Sequence, residues 1–88
     1  MKSIRDEIWW FRGAVVDCCN GRLTEDEVRA FEAEVESRKL TPDFVARNVD
    51  MVRTKAFPDP HVTAEKFYGH ADSLKVRLLR RAVLAPEF

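Results

Sequence analysis

An all-α fold, a compact bundle of about four helices, is what this sequence predicts, and three observations predict it. The first is a helix start used three times: Leu23-Thr24 followed by Val28, Leu40-Thr41 followed by Val45, and Val62-Thr63 followed by Phe67. The second is that the apolar residues after each start recur at spacings of three and four, the period of a helix and not of a strand. The third is the placing of Gly21, Pro58, Pro60 and Pro86 between or after these runs, where chain breakers belong.

The predicted helices span about 4–20, 25–38, 42–56 and 63–84 and form a single domain over 1–88. The first starts after Ser3, carries Asp6 near its positive N-terminal end, and stops at Asn20-Gly21. Its predicted core stripe is Ile4, Ile8, Phe11, Val15 and Cys18. At the start of the second, Thr24 accepts a backbone N–H that would otherwise lack a partner, and Glu27 completes a capping box. Val28, Phe31 and Val35 alone line its apolar face, and Glu25–Arg29 and Glu34–Arg38 sit at the favourable i,i+4 spacing of a surface helix. The third has Pro42 at its first position and a Val45, Val49, Val52, Ala56 stripe, with Phe44 and Met51 on one shoulder. Phe57-Pro58-Asp59-Pro60-His61 is a loop. The fourth keeps Phe67, Ala71, Leu74, Leu78 and Ala82 on one face, with Gly69 as a weak point that leaves open a break into two segments. The short 20–23 and 38–40 connections place consecutive helices antiparallel or at a steep angle.

Composition narrows function without naming it. The chain has 88 residues, 45% hydrophobic and 34% charged, which suits a folded domain with one small core. Fifteen basic and fifteen acidic residues cancel, which argues against a dominant nucleic-acid binder. No stretch approaches the roughly 18 apolar residues of a membrane span. Asp6 and Glu7 fall where an export signal would be apolar, so the expected location is cytoplasmic.

The residues offer little chemistry. Cys18 and Cys19 are adjacent, with Cα atoms about 3.8 Å apart, too close for an ordinary mutual disulfide. With His61 and His70 they lack metal-ligand spacing, so neither a metal nor another cofactor is expected. Cys18 falls on the predicted core stripe, and Cys19, nearer its edge, is the more accessible thiol. His61 beside Asp59 and His70 beside Asp72 are pairs that charged sequences produce by chance. The three glycines are scattered, so there is no phosphate loop. Helices two and three could mimic a helix-turn-helix with Arg47, Asn48 and Lys55 as readers, but Asp43 and Asp50 oppose that reading. No catalytic residues are expected, and the chain reads as a non-enzymatic protein.

What stands out is apolar surface in excess of one core. On the first helix, Trp9 and Val16 flank one side of the stripe, and Trp10 and Ala14 the other. On the fourth, Val76, Leu79 and Val83 form a second stripe beside a basic cluster of Lys75, Arg77, Arg80 and Arg81. The expectation is a small interaction module, a regulator, accessory subunit or inhibitor. Its partner is a protein, a second copy of the chain included, held by Trp9, Trp10, Val76, Leu79 and Val83, with Arg77, Arg80 and Arg81 orienting it. The alternative is a nucleic-acid-binding regulator using the helix 4 arginines.

Overall fold

The computed structural model describes residues 3–84, with the side chains of Val83 and Leu84 excepted. Among the described residues there are four helices and no strand: α1 (Ile4–Cys19), α2 (Glu25–Ser37), α3 (Pro42–Lys55) and α4 (Ala64–Leu84). The fold expected from the sequence is the fold observed.

Local chemistry sets each boundary. Ser3 accepts from the Asp6 N–H at the head of α1. Thr24, Thr41 and Thr63 accept from the Glu27, Phe44 and Lys66 N–H groups, and the Glu27 carboxylate returns a bond to the Thr24 N–H. At the far end of α1, Gly21 takes φ +71°, and the Gly21 and Arg22 N–H groups bond back to Cys18 and Asp17 carbonyls. α2 ends the same way, with Lys39 at φ 55° in the left-handed position that glycine usually fills. There the Leu40 N–H returns to the Val35 carbonyl, and both side chains are buried. α4 runs unbroken through Gly69.

α4 is the hub. It packs against each of the other three helices, and α1 also packs on α3, whereas α2 makes no comparably close backbone approach to α1 or α3. Helix directions follow from the side-chain pairs. Arg53 with Asp72 and Asp50 with Lys75 set α3 antiparallel to α4. Glu25 with Arg77 and Glu36 with Arg81 set α2 parallel to it. The neighbours in the bundle are therefore mostly not neighbours in sequence. Phe11, Val15, Val35, Val45, Val49, Phe67 and Leu78 meet fully buried at the centre, and the Phe11 ring lies edge-on to Phe44 at 5.3 Å. Burial of these side chains, each contributing roughly 1.5–3 kcal/mol, is what holds the valine-rich α3 helical despite its weak propensity.

Two parts of the predicted α1 stripe are corrected. Cys19, not Cys18, is fully buried, and Cys18 is half-buried. The stripe drifts by one position because α4 lies across the end of α1, where His70 Nδ1–H donates to the Cys19 carbonyl at 3.1 Å. Ile4 is 70% exposed and Ile8 is half-buried, and neither belongs to the core. The first turn of α1 lies beside Thr41 and Asp43 at the start of α3, which give it no apolar cover.

Candidate functional site

Two regions carry the residues singled out by the sequence, and they differ in kind. The first is the seam between α2 and α4. Arg77 Nη2 donates to Glu25 at 2.7 Å and approaches Glu32 Oε2 at 2.5 Å as an ion pair without hydrogen-bond alignment. Arg81 bonds Glu36 at 3.0 Å and lies 3.6 Å from Glu32. Donation to Glu25 pushes the Arg77 guanidinium pKa up and donation to Glu36 that of Arg81, and the Arg77 contact holds Glu25 below the usual carboxylate range. Lys75 is tied to Asp50 at 2.9 Å, while Arg80 faces solvent. The basic cluster of α4 is thus largely matched by acids of α2 and α3.

Glu32 is the residue that sequence reading missed. It is buried although charged. The signal was present: with Val28, Phe31 and Val35, Glu32 occupies the i+4 place of an i, i+3, i+4, i+7 stripe, a core-facing position. A buried carboxylate there demands a cation from another helix.

The α4 stripe is also divided. Leu79 packs against the core, Val76 is 52% exposed, and the Val83 side chain lies outside the described residues. Near the same seam, a cavity of about 230 Å³ is lined by Cys18, His70, Ser73, Glu25 and Arg77. Burial pushes the Cys18 thiol up and the Cys19 thiol up to about 12, so both are held as thiols rather than nucleophilic thiolates. Asp59 and Asp72, the acids beside the two histidines, are taken by Arg22 and Arg53. No group of three or more potential metal ligands converges among the described residues.

The second region is the groove between α1 and α3. Two hollows, about 260 and 440 Å³, lie along it and share Arg12. One is walled by Trp9, Val16, Met51, Val52 and Ala56, the other by Ile4, Ile8 and Phe44. Trp9 is 72% exposed, and Phe57, directly after the groove-lining Ala56, is 88% exposed. Arg12 Nε donates to Asn48 Oδ1 at 2.7 Å, and the buried Asn48 is itself fixed by a 2.9 Å bond to the Phe44 carbonyl. Asn48 is therefore a buried floor residue of the groove, while Arg47 is paired with Asp43 and Lys55 lines the groove.

The two tryptophans part company. Trp10 is half-buried, 5.4 Å edge-on from Phe31, with the Arg38 guanidinium 3.7 Å above its ring. Arg38 is clamped there by Glu7 at 2.7 Å and Glu34 at 2.8 Å. Trp10 thus joins α1 to α2, while Trp9 is left on the surface. No described helix is long and apolar enough to cross a membrane. Compared with known protein families, curated proteins and solved structures, the chain shows no significant match.

Proposed function

We propose that this chain is a non-enzymatic protein-interaction module whose binding surface is the α1/α3 groove, anchored by Trp9. The observation that carries the reading is Trp9 itself, 72% exposed beside a groove walled by Met51, Val16, Ile4 and Ile8. An exposed tryptophan next to contiguous apolar surface is the usual composition of a binding hot spot. Val76 on α4 adds a separate exposed apolar residue. Leu79 contributes to the internal packing and Trp10 to the α1–α2 contact, which leaves Trp9 as the more available anchor. A second copy of the chain is one partner this surface would accept.

The nucleic-acid reading has less behind it. It rested on the α4 arginines, and Arg77 and Arg81 are engaged by Glu25, Glu32 and Glu36. The catalytic reading needs an activated thiol, and burial pushes both cysteines the other way.

The test is site-specific photocrosslinking in the source cell, with a benzophenone amino acid replacing Trp9 in one variant and Arg80 in another. The expected result is a discrete protein adduct from position 9 and none from position 80. Equal labelling from both positions, or an adduct to nucleic acid, would overturn the proposal.

A further inference from the structure

Resting on that reading, the geometry points to the chemistry of the partner: we infer that the groove takes an apolar segment carrying a carboxylate, which Arg12 receives. Arg12 stands where the two hollows meet and lines both. Its guanidinium is fixed through Nε on Asn48, and Asn48 is neutral and buried. Among the described residues no acid pairs with Arg12. In that respect it differs from Arg22, Arg29, Arg38, Arg47, Arg53, Arg77 and Arg81, each bonded to at least one carboxylate; Arg5 and Arg80 also lack an acid partner among the described residues, but both are exposed and line neither hollow.

With Nε occupied, the two outer nitrogens of the fork remain to meet a planar, bidentate acceptor, and a carboxylate has that geometry. The charges lining the groove are Arg12, Lys55 and the mutually paired Asp43 and Arg47, which leaves it net positive. The apolar part of the walls is chiefly aliphatic, with Ile4, Ile8, Val16 and Met51, beside the polar Thr41, Asp43, Arg47 and Asn48, and methionine adapts to varied apolar side chains. Those walls favour a peptide over a nucleic acid, which would need a series of stacking rings along a basic track. The occupant is thus a partner-protein segment with apolar groups on both sides of an aspartate or glutamate, set in register by Arg12.

The test is selection of a displayed library of random 16-residue peptides on the full-length chain, with the Trp9→Ala and Arg12→Gln chains in parallel. The expected winners carry an acidic residue flanked by apolar ones. They weaken at least tenfold on Arg12→Gln, and converting their acid to the amide removes the same factor with no further loss on Arg12→Gln. An Arg12→Glu chain should select basic residues at that place; Lys55→Glu serves as a second charge variant should Arg12→Glu fail to fold. Winners that need Trp9 but carry no acid and ignore Arg12→Gln would overturn this inference and leave the protein-binding reading standing. No winners, winners indifferent to Trp9→Ala, or displacement of all winners by a 20-nucleotide oligothymidine would overturn both.

Discussion

The α2/α4 seam and the α1/α3 groove are built from the same materials, arginines beside apolar side chains, and put them to opposite uses. In the seam, Arg77 and Arg81 find Glu25, Glu32 and Glu36 within the chain, and of the basic cluster Arg80 is left facing solvent. In the groove, Arg12 finds only the neutral amide of Asn48, and Trp9 finds solvent. An excess of charge or hydrophobicity counted along a helix therefore does not locate a binding surface. What locates it is the residue left unmatched after the other helices have docked.

The comparison can be broken most easily at Arg77. Arg77→Ala leaves the Glu32 carboxylate buried without its nearest cation, and the expected cost is about 2–4 kcal/mol in urea unfolding. A double change, Arg77→Met with Glu32→Leu, should restore most of it, since an apolar pair has no charge to satisfy. Loss confined to a few tenths would mean the seam is a solvated surface pair. Next in size is the groove floor: Asn48→Ala removes the bonds to Arg12 and the Phe44 carbonyl and should cost about 1–3 kcal/mol. Calorimetry showing no change there would detach Arg12 from its support. Smaller again is the split within α4. Leu79→Glu should cost about 1–2 kcal/mol because Leu79 packs on the core, while Val76→Glu at an exposed site should change stability by less than about 0.5 kcal/mol. Equal, near-zero effects with lost self-association would instead make both residues an interface.

Most of the fold was legible because helix grammar is local. Thr24, Thr41 and Thr63 each sit three residues from the N–H they cap, and Gly21 closes α1 within its own turn. Packing partners were not legible. Glu32 and Arg77 lie 45 positions apart, so no i,i+4 rule links them, and only docking of α2 along α4 reveals why four basic residues share one turn and a half. Cys18 and Cys19 were exchanged because both lie near the edge of the Phe11–Val15 stripe, and which is covered depends on where His70 of α4 crosses. Lys39 escaped notice because the left-handed position that ends α2 carries a side chain instead of glycine. The candidate site was half legible. Trp9 stands out in the sequence of helix 1, but the sequence shows Met51 and Phe44 only as a shoulder of α3, and nothing in it marks Arg12.

Trp9 is surplus to folding, and Arg77 is not. Equilibrium urea unfolding of Trp9→Ala and Arg77→Ala, measured side by side with the parent chain, tests it most directly. Trp9→Ala is expected to lose less than about 1 kcal/mol while Arg77→Ala loses about 2–4 kcal/mol. A Trp9→Ala chain as destabilised as Arg77→Ala would contradict it, because Trp9 would then belong to the core and the groove would have lost its anchor.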